Sequence, residues 1–75
     1  MKIRMKIIGP LIYEAGFSEK EMEVAPGTTA DALMDVIRVS KDRPKIITRN
    51  GKAVAPNEIL EEGDKVVVSP IYSGG

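Results

Sequence analysis

Two stretches near the start of the chain alternate apolar and charged residues, a pattern that predicts half-buried β-strands. The first covers residues 2–8 and ends at Gly9-Pro10. The second covers residues 20–24 and ends at Ala25-Pro26-Gly27. Glycine and proline at both ends mark turns, so we expect the two strands to form a hairpin.

The segment between these strands, residues 11–18, is predicted to be a loop, although it contains four large apolar side chains. Two interpretations of these side chains stay open. They cap one end of the core, as a small domain requires, or they form an apolar contact patch beside the end of the chain. The four residues are Leu11, Ile12, Tyr13 and Phe17.

One helix is predicted after the hairpin, beginning at Thr28 and ending near Ser40. The Thr28 hydroxyl can cap the first backbone N–H groups, and Asp31 completes a Thr-x-x-Asp variant of the capping box. The apolar residues recur with the spacing of one helical face. They are Ala30, Leu33, Met34 and Ile37.

Three further strands are predicted, at residues 45–49, 52–55 and 65–69. Asn50-Gly51 is a strong hairpin-turn signal, since both residues accept positive φ. The unbroken Val66-Val67-Val68 is typical of a central strand covered on both faces.

The connector before the last strand is expected to place Ile59 and Leu60 in the core. The order strand, strand, helix, strand, strand, strand requires one helix to cover a mixed sheet of four or five strands. This α+β order resembles the ubiquitin-like β-grasp fold, with the first and last strands adjacent. We expect one domain over residues 1–75, with residues 70–75 as a flexible C-terminal tail.

Composition excludes several kinds of chemistry. The 75 residues include no cysteine and no histidine, so we expect no disulfide, no usual zinc site and no Cys–His or Ser–His nucleophile. Eleven basic residues balance eleven acidic ones, which argues against a nucleic-acid partner. No apolar run suggests a signal peptide or a membrane span. The expected location is therefore the cytoplasm.

The C-terminal Gly74-Gly75 is the candidate for chemistry. One interpretation is a disordered tail without a role. The other is functional: without Cβ atoms, two glycines can enter a narrow channel of a partner and present the carboxylate of Gly75. A carboxylate must be activated before it reacts, and the chain has no phosphate-binding motif. A partner must therefore use ATP, and a partner must supply any sulfur that the terminus carries.

Several short motifs resemble the MoaD/ThiS family of sulfur carriers. They are Gly9-Pro10-Leu11 with Ala15-Gly16, Asn50-Gly51-Lys52, the run Leu60-Glu61-Glu62-Gly63-Asp64-Lys65-Val66, and the terminal Gly74-Gly75. The resemblance implies that the chain binds no cofactor and is a carried substrate, not an enzyme. A ubiquitin-activating-enzyme-like adenylyltransferase would activate Gly75, and a persulfide donor would convert it to a thiocarboxylate.

The resemblance further implies an acceptor enzyme, such as the large subunit of molybdopterin synthase or thiazole synthase. Molybdopterin biosynthesis is the expected pathway, with thiamine synthesis and tRNA thiolation as alternatives. Gly74 and Ser73 would pass through the partner channel, while Pro70, Ile71 and Tyr72 would dock. Two other functions stay open: a protein modifier joined to lysines through Gly75, and a plain β-grasp interaction module.

Overall fold

The computed structural model describes residues 1–40 and 42–71. Over these residues, the elements in chain order are β1 (Lys2–Ile7), α1 (Leu11–Ala15), β2 (Glu19–Glu23), α2 (Ala30–Val36), β3 (Lys45–Arg49), β4 (Lys52–Ala53) and β5 (Lys65–Pro70). The strands form one sheet in the order β2-β1-β5-β3-β4. β1 and β5 are parallel neighbours, and the other pairs are antiparallel. The predicted β-grasp arrangement is confirmed.

The alternation in β1 separates a buried face from an open face of the sheet. Ile3, Met5 and Ile7 are at most 3% exposed. The charged residues between them face solvent, and each lies opposite an acidic residue of β2, an arrangement that stabilises an antiparallel pair. The pairs are Lys2 with Glu23, Arg4 with Glu21, and Lys6 with Glu19.

The core lies where α2 covers the buried face of the sheet. All four residues of the predicted helical stripe are buried, and Val66 and Val68 of β5 are fully buried. Val67 is only half-buried, because it points to the face opposite α2. The prediction that β5 is covered on both faces is therefore wrong.

The ends of α2 differ from the prediction. Thr29, not Thr28, is the N-cap residue, and its Oγ1 accepts a hydrogen bond from the Ala32 N–H at 3.1 Å. Thr28 Oγ1 instead donates to the Ala25 carbonyl. The helix ends at Val36, earlier than expected, because Arg38 adopts a left-handed conformation with φ 64°.

The segment predicted to be a loop contains the short helix α1. Pro10 precedes it, and Gly16 ends it with φ 83°, as glycine commonly does after a helix. Five residues are too few for helical periodicity to show in the sequence. In the connector before β5, Leu60 is buried as predicted, but Ile59 is 56% exposed and that part of the prediction is wrong.

Candidate functional site

The candidate site is the end of β5, from which the chain continues towards Gly75. Pro70 was predicted to lie outside the sheet, but it is the last residue of β5 and lies opposite Lys45 of β3. The next residue, Ile71, still donates its N–H to the Pro44 carbonyl at 3.4 Å. The pairing of β5 with the β3 side therefore extends past Pro70.

Proline is tolerated here because of the direction its nitrogen faces. The Val68 carbonyl accepts from the Ile8 N–H, so Val68 presents its backbone polar groups to β1. Pro70, two residues later, faces the same side, but β1 has already ended at Ile7. Pro70 thus removes no ladder hydrogen bond, as expected for a proline at a free strand edge.

A loop between α2 and β3 lies against this end of the sheet and is tied to α1. Glu14 of α1 accepts the Ser40 N–H at 3.3 Å through Oε1, and its Oε2 accepts from Arg43 Nη1. We call Glu14, Ser40 and Arg43 the exit clasp. The Glu14 side chain is 25% exposed and that of Arg43 is 46% exposed, so the ion pair is partly shielded from solvent.

Lys45 ties the same loop from the β3 side. Its Nζ donates to the Ser40 carbonyl at 2.9 Å and to the Arg43 carbonyl at 3.2 Å. Within the loop, the Arg43 N–H donates to the Ser40 carbonyl at 3.3 Å. The backbone just before Pro44 is therefore held from two sides.

The open face of the sheet has an apolar patch beside this end. Val67 and Ser69 of β5 lie on this face, and Ile46 of β3 is directly opposite Ser69. Ile8 follows β1 at the same level. Ile46 is 46% exposed and Ile8 is 37% exposed. We call Ile8, Ile46 and Val67 the open-face patch; it contrasts with the charged half of the face formed by β1 and β2.

The sequence-predicted site residues divide into two groups. Pro70 is half-buried at the end of β5, and Ile71 is 50% exposed directly after it. Ile71 lines a cleft with Met34 and Ile47, on the face of the sheet that α2 covers, and Arg43 of the exit clasp lines the same cleft. The remaining predicted residues lie outside the described residues: Tyr72, Ser73, Gly74 and Gly75.

The four apolar residues of the α1 segment agree in part with both interpretations, the core cap and the apolar contact patch. Leu11 is fully buried, and Ile12 and Phe17 pack against the core. Tyr13, however, is 84% exposed. Lys20 Nζ lies 4.5 Å from the centre of the Phe17 ring and covers it. Most of this segment is therefore a core cap, and Tyr13 is its exposed point.

The exit clasp is the part of the site that sequence reasoning missed. Glu14 is separated from Ser40 by 26 positions and from Arg43 by 29. No local spacing connects residues so far apart. The topology alone explains why they meet: α1 follows β1 directly, and the parallel strands β1 and β5 end on the same side of the molecule.

The motif Leu60 to Val66 has a structural role at the opposite end of β5. Asp64 is 5% exposed. Its Oδ2 accepts the Glu61 N–H at 2.7 Å and lies 3.5 Å from Arg49 Nε, while its Oδ1 accepts from Asn50 Nδ2 at 3.0 Å. These contacts satisfy the buried carboxylate and fix the turn that leads into β5.

Two other kinds of site were sought in the described part of the chain. No group of three or more His, Cys, Asp or Glu residues there is arranged to hold a metal ion. None of the helices of residues 1–40 and 42–71 is long and apolar enough to cross a membrane.

Comparison with solved structures gives neighbours of the same fold. The putative molybdopterin converting factor subunit 1 from Pyrococcus furiosus superposes with a TM-score of 0.78 at 26% identity, covering 92% of this chain and 95% of that chain. The small archaeal modifier protein 1 of H. volcanii gives 0.74 at 20% identity, with the same coverages of 92% and 95%.

A third neighbour belongs to a complex of subunits 1 and 2 of the molybdopterin-converting factor from Helicobacter pylori. It superposes with a TM-score of 0.68 at 16% identity, covering 100% of both chains.

No curated protein sequence matched the chain. Residues 5–75, however, match the ThiS family. The chain therefore belongs to the ThiS family.

Proposed function

We propose that the chain is a sulfur carrier whose reactive group is the carboxylate of Gly75. A carboxylate oxygen attacks the α-phosphorus of ATP in the active site of an adenylyltransferase, and pyrophosphate leaves. The terminal sulfur of a donor's persulfide then displaces AMP from the Gly75 carbonyl. A thiol of the donor cleaves the resulting acyl disulfide, leaving a thiocarboxylate on Gly75 and a disulfide on the donor.

The observation that supports this proposal most directly is the extent of the family match. It continues through Gly75, so the similarity includes the terminal Gly74-Gly75 as well as the folded domain. In this account the domain presents the terminus and the partner enzymes provide the catalytic groups. ATP is used by the partner, and the chain itself is a substrate.

The surroundings of Ile71 fit such a presentation. The half-exposed side chain of Ile71 offers apolar area at the base of the tail, beside the exit clasp. We propose that Pro70, Ile71 and Tyr72 dock on a surface of the partner. Ser73 and Gly74 would then occupy the narrow channel that leads to the active site. Apolar area of this kind at the base of the tail offsets the entropic cost of ordering the glycines.

We propose molybdopterin biosynthesis, in the cytoplasm, as the pathway that receives the sulfur. The support is the similarity to the converting factor subunit 1 from Pyrococcus furiosus, which is 26% identical over nearly the whole chain. The acceptor would be a large subunit, in line with the Helicobacter pylori structure of subunits 1 and 2 in complex. Thiamine synthesis and tRNA thiolation are the alternative destinations.

A second candidate function is protein modification, supported by the likeness to the small archaeal modifier protein 1. The same adenylate would then be attacked by a lysine Nζ of a target protein, with an amide as product. The two functions differ in the fate of Gly75, since one leaves a thiocarboxylate and the other a covalent conjugate.

The activation step is tested by deleting Gly75 and measuring ATP–pyrophosphate exchange with the adenylyltransferase of the chain's own host. We expect exchange to fall to background and the circular dichroism spectrum to stay unchanged, because β5 ends five residues earlier, at Pro70. Lys52→Ala, at the exposed start of β4, is the control and should exchange like the unmodified protein. Undiminished exchange by the truncated chain would contradict the proposal.

A further inference from the structure

The exit clasp connects α1 to the loop that ends at Pro44. We infer that Glu14 is a positioning residue for the C-terminal segment. Its carboxylate holds Ser40 and Arg43, which fixes Pro44, and the Pro44 carbonyl holds the Ile71 N–H. This inference rests on the proposed function, because the segment that is positioned ends in Gly75.

The geometry of Glu14 suits this role. Its two carboxylate oxygens bind different groups: Oε1 accepts the Ser40 N–H and Oε2 accepts from Arg43 Nη1. A carboxylate held at two points, one of them a charged donor, restricts orientation more than a single contact does. The restricted loop is short, and the residue that follows Arg43 is Pro44, so little freedom is left between the clasp and the carbonyl that holds Ile71.

Ile71 depends on this loop for its direction. β1 has ended at Ile7, so within residues 1–40 and 42–71 no strand accompanies β5 on the β1 side at the level of Ile71. On the other side the Pro44 carbonyl accepts its N–H, at 3.4 Å. A contact this long is easily lost when its acceptor moves. The exit clasp, together with the contacts of Lys45, therefore favours the conformation in which Ile71 continues the line of β5.

The clasp has little to contribute to overall stability. Partly exposed ion pairs generally add little to the free energy of unfolding, and Lys45 also ties the same loop. Its effect should instead appear when a partner engages the chain. If the backbone of Ile71 is already ordered in the free protein, the partner has one residue fewer to order on binding.

The kinetic test compares Glu14→Ala with Glu19→Gln in ATP–pyrophosphate exchange, with the full chain as variable substrate. Glu19→Gln is a matched control, since Glu19 Oε2 also pairs with an arginine, Arg4, at 3.6 Å but does not contact the loop. For Glu14→Ala we expect KM to rise about five- to thirtyfold, the loss expected when roughly one residue must be ordered on binding. We expect kcat to stay within about twofold, because the terminus itself is unchanged.

Further variants separate positioning from a general loss of structure. Arg43→Ala should raise KM by less than Glu14→Ala does, because Glu14 can still accept the Ser40 N–H. The double variant should be no worse than Glu14→Ala, because Glu14→Ala alone already removes the pair. Arg43→Lys should recover part of the loss. Additive effects, or a fall in kcat with KM unchanged, would overturn the inference.

A readout without any enzyme is the heteronuclear 15N NOE of Ile71 in the free full-length chain. We expect it to fall in Glu14→Ala and to be unchanged in Glu19→Gln. An unchanged value in Glu14→Ala would overturn the positioning role. If the unmodified chain is not adenylated at all, the proposed function fails, while the Ile71 measurement still decides whether Glu14 positions this segment.

Discussion

The two ends of β5 are both organised by a carboxylate, but in different surroundings. At the start of the strand Asp64 is buried and its oxygens contact Glu61, Asn50 and Arg49. At the far end Glu14 is partly exposed and ties a loop through Ser40 and Arg43. The first arrangement closes a turn within the fold, and the second surrounds the place where the chain leaves it.

This difference indicates how the domain separates stability from presentation. Removing a buried carboxylate leaves its hydrogen-bond donors unpaired, and removing the donors leaves the carboxylate unpaired. Both changes lower the free energy of unfolding, so we expect Asp64 to stabilise the fold. A partly exposed carboxylate contributes little to folding and is available to orient a neighbouring segment. The central strand thus begins at a buried carboxylate and ends beside a partly exposed one.

The largest expected effect is that of Asp64→Ala. It leaves the part-buried Glu61 N–H and Asn50 Nδ2 without their acceptor, while Arg49 keeps Glu58 at 3.2 Å. We expect the free energy of unfolding to fall by about 2–3 kcal/mol, measured by urea denaturation. Asp42→Ala, which removes an exposed carboxylate, is the control and should change it by less than about 0.5 kcal/mol. A loss for Asp64→Ala no larger than that for Asp42→Ala would contradict the stabilising role of Asp64.

An intermediate effect is expected for Gly51→Ala, which lies in the turn beside Asn50. Gly51 has φ 87°, and a Cβ added there would meet no atom within 4 Å. The cost is therefore that of the left-handed backbone alone, about 1–2 kcal/mol. Thermal unfolding followed by circular dichroism would measure it. A loss much larger than this would mean that the turn also controls the contacts of Asp64.

The smallest effect on stability is expected for Glu14→Ala. The free energy of unfolding should fall by less than about 1 kcal/mol, in keeping with a partly exposed ion pair. Urea denaturation at low and at high salt would measure it, and the difference from the unmodified chain should shrink as salt screens the pair. A loss as large as that of Asp64→Ala would make the exit clasp a stabilising element and not a presenting one.

Local patterns were sufficient to predict most of the fold. Alternation in β1, the apolar stripe of α2 and the Asn50-Gly51 turn each depend on neighbouring residues, and the turn has the expected positive φ of 53° and 87°. Local patterns do not show which elements cover each face of a strand in the folded protein. Val67 lies in an apolar run, yet its exposure depends on which face of the sheet α2 covers.

The sequence predicted the site residues that are close to Gly74-Gly75 in the chain. It did not predict the site residues that the fold brings close from other elements. Pro70 and Ile71 were identified because they precede Gly74-Gly75, but the exact end of the pairing depended on where β1 stops. Glu14, Ser40 and Arg43 come together only after α1 and the loop before β3 have reached the same end of the sheet. Their proximity is a product of topology, so no motif in the sequence marks them.

The central claim concerns what Gly75 carries, and intact-mass measurement of the protein purified from its own host tests it most directly. The account predicts a fraction of molecules in which one oxygen is replaced by one sulfur, located at Gly75 by fragmentation. Larger species joined through Gly75 to lysines would favour the modifier function instead. A chain that remains entirely unmodified while its host is synthesising the cofactor would contradict the account.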